Sequence, residues 1–581
     1  MTVSEFIFDF LQKKGLETVF MVSGSSAMWL TDSLKRNEKL KAVCCNHEQA
    51  AAMGAACYGR LSGVPGACLV TIGPGATNAI TGVAGAYTDS FPMFCISGQA
   101  NSKLLTMQRE LSMRQNGTQC IDLEPVVSPI VKYFGMVMAP EEIRFHMEKA
   151  YWCAMEGRRG PVWIDVPIDI QNRQIPPVEE MPGFTPPEDA DYDAFDAAEI
   201  IDRVKAAEKP LIIAGFGVRS AEATELLRDF SHKYQVPVVT SRGGIDVIDS
   251  DDPYFIGRPG GYGDRASHFA VQGCDLLLIL GSRLSVSTIG YYPDRLAGGA
   301  YKLMVDVDKS ELSRTAVPID RKLYCDLKVF LTKLMAVETD SPVSSREAWL
   351  KWCGDNKAKY PVVQPEYREE KPLNAYYFTE LLTQATPEGA AVIVDTGSVC
   401  NVVSQTWKIK KGQDYVISGG LSCMGFWAAA EGAAVLGRES FALTGDGSAM
   451  MNIQEFSTLK HNNLPIKVVI YNNHGYLLIR HNQHNYMNDR FLGVSPESGV
   501  GAVDFCAVAS AFGLPSMRIE HGDDIPAKLA EFVSIEGPAI LEVMTQEFGI
   551  MAPRIASKVM PDGSLKAAEF DDLWPFLDKN D

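Results

Sequence analysis

The sequence predicts an α/β protein made of three doubly wound parallel-sheet domains. Its 581 residues are too many for one hydrophobic core, which favours several domains. Short β-branched runs alternate with helical patterns in three stretches, as in parallel sheets whose strands are connected by helices. The predicted domains cover residues 1–172, 192–335 and 372–550, with a tail over 551–581. A Pro- and acid-rich linker over 175–191 and a polar one over 341–371 separate them.

The predicted strands are short and rich in apolar or β-branched residues, which is typical of strands buried on both faces. In the first domain they cover residues 18–22, 41–44, 67–72 and 93–97. In the central domain they cover 210–214, 236–240, 275–280 and 302–307, and in the third 391–394, 441–443, 466–471 and 539–543. Sheets of this kind bind ligands where their strands end, so the residues after each strand are the first site candidates.

Composition and charge disfavour several functional classes. The formal net charge of −18 argues against a nucleic-acid surface, because phosphate binding depends on Lys and Arg. No apolar run approaches the ~20 residues that cross a bilayer, and the first residues lack the pattern of a signal peptide. The 13 cysteines, an odd number scattered through apolar segments, suit buried thiols in a reducing compartment. We therefore expect a cytoplasmic protein that binds neither nucleic acid nor a membrane.

A candidate diphosphate and metal site lies in the third domain. A predicted strand runs into Gly445-Asp446-Gly447, and the buried strand over 466–471 ends in Asn472-Asn473. Between them, apolar residues at positions 450, 453, 456 and 459 predict one continuous helix. Because the two strands end at the same sheet edge, Asp446 and Asn473 are expected side by side, where a carboxylate and an amide oxygen suit Mg²⁺. The flanking glycines let the backbone approach a diphosphate. A plain turn at each strand end is the alternative.

A second candidate group is Glu48, in the segment Asn46-His47-Glu48-Gln49-Ala50-Ala51-Ala52. A predicted strand ends here and a helix of small residues begins. A carboxyl group among alanines is poorly solvated, as proton-transfer groups in active sites often are. The alternative is a first-turn glutamate that the helix dipole favours.

These motifs together resemble thiamine diphosphate enzymes of the acetolactate synthase-like family. Gly445-Asp446-Gly447, 24 further residues and Asn472-Asn473 resemble the cofactor signature. His47-Glu48-Gln49, residues 73–78 and residues 89–93 resemble, in order, the first domain of acetolactate synthases, and residues 418–426 resemble their third domain. The resemblance covers essentially the whole chain. It implies a pyrimidine-binding first domain, a central domain and a diphosphate-binding third domain.

The resemblance implies a role for each matching residue. Glu48 exchanges a proton with the pyrimidine ring of the cofactor, and Met424 is the apolar wedge that holds the cofactor in a V shape. Asp446, Asn473 and the carbonyl of Gly475 bind Mg²⁺. The other implied cofactor-binding residues are Gly24, Asn78, Gly397, Ser398, Ser422, Gly445, Gly447, Ser448, Tyr476 and Leu477. Since Glu48 and Asp446 act at opposite ends of one cofactor, the family's arrangement implies a homodimer or homotetramer with active sites at the subunit interface.

Three departures from acetolactate synthases concern the substrate. Asn482 stands where the family carries a tryptophan that screens the second 2-keto acid. Gly397-Ser398-Val399-Cys400 replaces a Gly-Gln-His-Gln run, and Asp122 aligns with an active-site glutamine. A buried amide expects a polar partner, so Asn482 favours a larger, polar or sugar-like acceptor. Solvation of Asn482 at the rim of the pocket is the alternative.

The predicted reaction is decarboxylation of a 2-keto acid such as pyruvate, followed by ligation of the acyl carbanion to a second carbonyl compound. Glu48, Asp122 and Asn482 are the catalytic candidates. A simple 2-keto-acid decarboxylase, a C–C hydrolase of a cyclic diketone and a non-catalytic homologue are the alternatives. The tail over 553–575 resembles that of family members linked with the synthesis of surface-polysaccharide sugars.

FAD is a further candidate cofactor, in the central domain. Gly215-Phe216-Gly217, Gly281-Ser282-Arg283, residues 241–244 and residues 305–308 fall where the flavin-binding loops of the family lie. Against FAD, the family's Arg-Phe-Asp-Asp-Arg run is Arg283-Leu284-Ser285-Val286-Ser287 here, and glycine-rich loops are common without any ligand. The central domain is therefore expected to be of the FAD type or vestigial.

Overall fold

A computed structural model describes residues 1–188, 191–314, 316–338, 342–559 and 565–577. The chain forms two compact units. The first contains Met1–Glu188, Gly389–Val399 and Asp414–Glu547, and the second contains Asp189–Glu388, Cys400–Gln413 and Phe548–Asp581. Parts of the predicted linkers (189–190 and 341) and of the predicted tail (560–564 and 578–581) lie outside the described residues. The predicted domain boundaries stay predictions.

The first sheet belongs to the first unit. Its strands are β1 (Thr18–Met21), β2 (Lys41–Cys44), β3 (Gly66–Val70), β4 (Met93–Gln99), β5 (Tyr133–Met136) and β6 (Pro161–Pro167). They are all parallel, in the order β2-β1-β3-β4-β6-β5, and the inner strands are buried throughout. The helices are α1 (Val3–Lys13), α2 (Met28–Arg36), α3 (Glu48–Ser62), α4 (Pro74–Asp89), α5 (Ser102–Glu110), α6 (Glu124–Val127), α7 (Ile143–Met155) and α8 (Ile168–Gln171).

The second sheet belongs to the second unit. Its parallel strands are β7 (Pro210–Ala214), β8 (Val238–Thr240), β9 (Phe255–Gly257), β10 (Leu276–Leu280), β11 (Tyr301–Asp306) and β12 (Arg321–Tyr324), in the order β12-β11-β10-β7-β8-β9. The helices are α9 (Ala197–Ala206), α10 (Phe216–Ser220), α11 (Thr224–Tyr234), α12 (Arg265–Gly273), α13 (Val286–Ile289), α14 (Lys309–Ser313), α15 (Leu327–Met335), α16 (Glu347–Lys359) and α17 (Ala375–Ala385).

The third sheet returns to the first unit. Its parallel strands are β13 (Ala391–Val394), β14 (Asp414–Ile417), β15 (Ser440–Gly445), β16 (Ile466–Asn472), β17 (Ser516–Ile519) and β18 (Ala539–Met544), in the order β14-β13-β15-β16-β18-β17. The helices are α19 (Ala430–Ala434), α20 (Asp446–Ala449), α21 (Phe456–Asn462), α22 (Leu477–Met487), α23 (Phe505–Ala511) and α24 (Ile525–Ser534), and α18 (Ser398–Thr406) has residues in both units. In the second unit the tail adds an antiparallel hairpin of β19 (Ser557–Val559) and β20 (Leu565–Ala567).

The three parallel sheets confirm the predicted fold class. The predicted strands over 41–44, 210–214 and 391–394 match β2, β7 and β13 residue for residue, and the other predicted strands differ by at most two residues at either end. Six strands of these sheets were not predicted: β5, β6, β9, β12, β14 and β17. All but β6 lie at a sheet edge, and β5, β12 and β17 are only partly buried, so their apolar pattern is weak.

The prediction of one continuous helix after Asp446 is wrong. Helix α20 ends after one turn, a 3₁₀ segment covers Met450–Glu455, and only then does α21 begin. Asn452 interrupts the helix with φ of −134° and ψ of 30°, and its Nδ2 atom donates a 2.8 Å hydrogen bond to the carbonyl oxygen of Gly425. Met450 is consequently exposed, whereas Phe456 is buried as predicted.

Helix α3 of the first domain packs on α19 of the third domain within the first unit. A Cβ atom on Gly432 would lie 2.2 Å from the carbonyl oxygen of Gly54, so the two helix backbones nearly touch. Arg60 extends this contact by donating to the carbonyl oxygen of Tyr415 at 3.3 Å. Because α3 begins with Glu48, the packing fixes the helix that carries this acid.

We expect Gly432→Ala to lower the melting temperature by several degrees, because a methyl group forced into a packed core costs about 1–3 kcal/mol. The matched control is Gly354→Ala, in the exposed part of α16, where an added Cβ meets nothing within 4 Å. There alanine should be neutral or stabilise the helix by up to about 1 kcal/mol. Scanning calorimetry compares both variants with the parent, and equal melting temperatures would contradict the close packing.

Candidate active site

The predicted metal site forms where strands β15 and β16 end. The two strands are parallel neighbours with Gly445 opposite Tyr471, so Asp446 and Asn473 leave the third sheet at the same edge. The backbone N–H of Gly475 donates a 2.6 Å hydrogen bond to Asp446 Oδ2. The structure therefore brings Asp446 and Gly475, which are far apart in the sequence, into direct contact. Asp446, Asn473 and Gly475 are called the anchor below.

The anchor presents buried oxygen atoms that need a partner. Asn473 is 4% exposed, and no donor among the described residues bonds its Oδ1 atom. A buried acceptor left in this state costs about 1–3 kcal/mol, which a bound cation would offset. Burial raises the pKa of Asp446 to about 6, although hydrogen bonds from the backbone of Gly475 and Gly447 act in the opposite direction. An amide oxygen beside a carboxylate fits Mg²⁺, which prefers oxygen ligands.

Two of the predicted cofactor-binding glycines are required by packing. A Cβ atom on Gly447 would lie 2.2 Å from the ring of Tyr476, and one on Gly475 would lie 2.0 Å from the carbonyl oxygen of Val494. Gly475 also has φ of +135°, which L side chains rarely adopt. Gly445 differs, because an added Cβ would make only ordinary contact with Val399. Packing therefore accounts for Gly447 and Gly475 before any ligand is considered.

Ser448 belongs to a polar network beneath the anchor. Its hydroxyl accepts a 2.9 Å hydrogen bond from the backbone N–H of Gly425 and contacts the carboxylate of Asp395. Asp395 also accepts from Thr444 Oγ1 at 2.9 Å and from the backbone N–H of Trp427 at 3.3 Å. Burial raises the pKa of Asp395. Asp395 is not among the predicted site residues, although its place directly after strand β13, at the same sheet edge, could have indicated it.

Five more of the predicted cofactor-binding residues belong to the third domain. Ser422 has φ of +56°, and its hydroxyl lies 2.5 Å from Thr396 Oγ1. Met424 is half-buried. Gly397 has φ of +85°, and Ser398 is the first residue of α18. Leu477 is buried at the start of α22, directly after Tyr476.

The proposed activating acid is held in the first domain. Glu48 is 8% exposed, and Asn78 Nδ2 donates a 3.0 Å hydrogen bond to its Oε2 atom. A Cβ atom on Gly75 would lie 2.7 Å from Thr71 Cγ2 and 3.3 Å from Glu48 Oε1, so Thr71 and Glu48 pack closely against this glycine. At Gly24, an added Cβ would overlap the side chain of Thr71. The structure therefore joins the first two first-domain motifs of the sequence analysis around one buried carboxyl group.

A second buried carboxylate supports the turn before Glu48. Glu455 accepts hydrogen bonds from the backbone N–H of Asn46 at 3.1 Å and from Thr458 Oγ1 at 2.5 Å. Nearby, Cys45 Sγ donates to Glu431 Oε2 at 3.4 Å, and both residues are buried. Burial raises the pKa of the Cys45 thiol and of both carboxyl groups. This cluster could not be predicted from the sequence, because its members come from the first and third domains.

Two predicted catalytic residues lie apart from these groups. Asp122 is ion-paired with Arg109, whose Nη2 atom lies 2.5 Å from Asp122 Oδ1 and 3.1 Å from a carboxylate oxygen of Glu124. Asn482 is exposed on helix α22. Within the described part of the chain, no hydrogen bond joins Asp122 or Asn482 to Glu48 or the anchor, and none joins Glu48 to the anchor.

Comparison with known proteins identifies the family of this chain. Family models for thiamine pyrophosphate enzymes match residues 1–125 (N-terminal TPP binding domain), 197–334 (central domain) and 395–543 (C-terminal TPP binding domain). The chain is 30% identical over 548 residues to acetolactate synthase isozyme 1 large subunit of Escherichia coli K12, covering 93% of each protein. The chain belongs to the acetolactate synthase-like thiamine diphosphate enzymes.

Other members of the family align over nearly the whole chain. A probable acetolactate synthase large subunit of Methanocaldococcus jannaschii is 30% identical, covering 100% of this chain and 99% of that protein. The acetolactate synthase large subunit of Lactococcus lactis is 28% identical, covering 96% and 95%. These alignments include the acid of the first domain and the anchor of the third.

The central domain of this acetolactate synthase-like chain packs its glycine-rich loops on one another. A Cβ atom on Gly215 would lie 2.1 Å from the carbonyl oxygen of Gly281, and one on Gly244 would lie 2.8 Å from the carbonyl carbon of Gly215. Backbone packing is thus sufficient to require these glycines, and FAD stays a prediction from the resemblance. Among the helices described, none is both long and apolar enough to cross a bilayer.

A buried acid of the first sheet adjoins the loop that carries Asp122. Asp165, on β6, accepts hydrogen bonds from Ser97 Oγ at 2.6 Å and from Gln99 Nε2 at 2.9 Å. Gln99 Nε2 also donates to the carbonyl oxygen of Ile121 at 3.1 Å. Burial raises the pKa of Asp165 to about 7, against these hydrogen bonds. Because the folded state prefers the protonated acid, this group stabilises the fold at low pH, and the stabilisation is lost as pH rises through about 7.

We expect Asp165→Asn to flatten the dependence of melting temperature on pH. The amide cannot ionise, so the variant should lose less stability than the parent between about pH 5 and about pH 8. Asp229→Asn, at an exposed position of α11, is the matched control and should follow the parent curve. Differential scanning fluorimetry over this range makes the comparison. Parallel curves for Asp165→Asn and the parent would show that Asp165 does not titrate there.

Proposed function

We propose that this enzyme decarboxylates a 2-keto acid such as pyruvate and joins the acyl unit to a second carbonyl compound. Proteins named acetolactate synthase are similar to this chain over nearly its whole length. The observation that carries the proposal is the buried Glu48–Asn78 pair, because thiamine diphosphate enzymes need an acid at the pyrimidine end as well as a diphosphate site. When bound, the cofactor supplies the carbon nucleophile and the electron sink for loss of CO₂.

Different residues of the chain would act at the two ends of the cofactor. Asp446, the Asn473 side-chain oxygen and the Gly475 carbonyl would hold Mg²⁺, and the metal would hold the diphosphate. At the other end, Asn78 Nδ2 donates a hydrogen bond to Glu48 Oε2. Glu48 Oε1 is then the atom that would take up and return the proton.

We further propose a homodimer, or a pair of dimers, whose active sites combine the first domain of one subunit with the third domain of its partner. This accords with the missing hydrogen bond between Glu48 and the anchor in the described chain. Leu421, Met450 and Met451 of the third domain are 40%, 44% and 48% exposed, and large apolar side chains of this kind suit burial by a second copy.

Asn482 supports a polar, larger or sugar-like acceptor in place of a second small keto acid. The residue is exposed on α22, the helix that follows the anchor, so the buried amide expected from the sequence is not found, and the proposal rests on the hydrogen-bonding chemistry of the amide. An amide can pair with the hydroxyl groups of an acceptor, which an apolar screen cannot do. A simple decarboxylase would use the same acid and anchor but would release the aldehyde.

We expect Glu48→Gln to lower cofactor-dependent turnover of pyruvate by roughly 10²–10⁴-fold, the usual contribution of a general acid–base group. Calorimetric titration should show that the variant still binds thiamine diphosphate in the presence of Mg²⁺, since the anchor is intact. Glu141→Gln, at an exposed position, is the matched control and should keep parental turnover. Full activity of Glu48→Gln would refute the role of this acid. A parent chain that binds the cofactor without turnover would indicate a non-catalytic homologue.

We expect Asn482→Trp to shift acceptor choice toward 2-keto acids by about tenfold, because a bulky apolar screen replaces a hydrogen-bonding group. Parent and variant are incubated with pyruvate and a panel of aldehydes, ketones and keto-sugars, and the products are identified by mass. Asn485→Trp, one helical turn further along exposed α22, is the control. Free acetaldehyde as the sole product of the parent would support the decarboxylase, and cleavage of a cyclic diketone would support the hydrolase.

A further inference from the structure

A buried arginine lies beneath the anchor. Arg480 belongs to α22 and is 4% exposed. Its Nη2 atom donates to the carbonyl oxygens of His474 at 2.8 Å and Val494 at 3.0 Å. Its Nη1 atom donates to the carbonyl oxygens of Asn473 at 3.3 Å and Glu547. One guanidinium group therefore gathers four backbone carbonyls from three separate segments of the chain.

Arg480 forms no ion pair among the described residues. Its hydrogen bonds all go to backbone carbonyls, and the carboxyl groups of Asp446 and Glu497 act on its charge from a greater distance. A buried ion usually requires a counter-charge or a full set of hydrogen bonds. Here the turn that carries the proposed metal ligands and the segments packed around it supply acceptors for the two terminal nitrogens, whereas the buried Nε atom has no partner among the described residues. The charge and the conformation of the turn thus depend on each other.

The turn itself needs such support. His474 has φ of +56° and Gly475 has φ of +135°, so two successive residues lie in the left-handed region, which is costly for a residue other than glycine. Arg480 bonds the carbonyls of Asn473 and His474, directly before Gly475. The Val494 carbonyl accepts from Arg480 and also from the backbone N–H of Tyr476 at 3.0 Å, which closes the far side of the turn.

We propose that Arg480 is a positioning residue that sets the Asn473–Gly475 turn in its metal-binding conformation before the cofactor arrives. The inference rests on the proposed function of the anchor as the Mg²⁺ and diphosphate site. A planar guanidinium fork reaches several fixed acceptors at once, whereas the ammonium group of lysine has three donors around a single atom. Lysine would preserve the charge but not the geometry.

The test compares Arg480→Lys with Arg490→Lys, a matched change at an exposed arginine. Mg²⁺ affinity is measured by calorimetry on the full-length protein with saturating thiamine diphosphate. We expect Arg480→Lys to weaken Mg²⁺ binding by about 10–100-fold, as loss of groups that orient metal ligands usually does. Turnover at saturating Mg²⁺ should stay within a few-fold of the parent, and Arg490→Lys should match the parent in both.

Hydrogen–deuterium exchange without cofactor gives an independent readout. In Arg480→Lys the amides of residues 473–478 should exchange faster than in the parent, while those of strand β15 should not change. Unchanged Mg²⁺ affinity, or a lower melting temperature with unchanged affinity, would overturn the positioning role. Arg480→Met, which also removes the charge, should weaken binding further. If the parent chain itself fails to bind the cofactor with Mg²⁺, the proposed function of the anchor fails.

Discussion

Strands β15 and β16 lie side by side and parallel, so the chain leaves both at one edge of the third sheet. This pairing places Asp446 beside the turn of Asn473 and Gly475, and the other features of the anchor follow from it. Gly447 must be glycine because Tyr476 lies against it, and Asn452 leaves the helical conformation where its amide donates to the carbonyl oxygen of Gly425. A displaced β16 would move Asn473 away from Asp446 without altering Asp446 itself.

Both ends of the site rest on a buried charged side chain that bonds backbone rather than another side chain of opposite charge. Glu455 accepts the backbone N–H before Glu48, at the positive end of helix α3, and Arg480 donates to the carbonyls before Gly475. Each charge matches its backbone partner. Backbone N–H groups donate to the carboxylate of Glu455, and backbone carbonyls accept from the guanidinium of Arg480. Preorganised turns of this kind require little rearrangement when a ligand binds.

The anchor and the acid could be predicted because each follows a strand within a short motif. Spacing then placed Asp446 and Asn473 at one sheet edge, and three strands were predicted to the residue. The supporting groups could not be predicted, because Arg480 acquires its role only when folding brings Val494 and Glu547 to it, and Glu455 only when the third domain meets the first. The break at Asn452 was not predicted because the apolar residues around it still have helical spacing. A tertiary hydrogen bond from Asn452 nevertheless interrupts the helix.

The near-contact of Gly54 with Gly432 has a consequence for how such enzymes diverge. Helix α3 begins with Glu48 and packs on α19 of the third domain. Larger side chains on α19 would therefore push α3 away and displace Glu48. The first and third domains are thus poor candidates for independent exchange between relatives. A chimaera that takes its first domain from a homologue would also need the α19 that fits it, whereas the central domain could be exchanged without disturbing this contact.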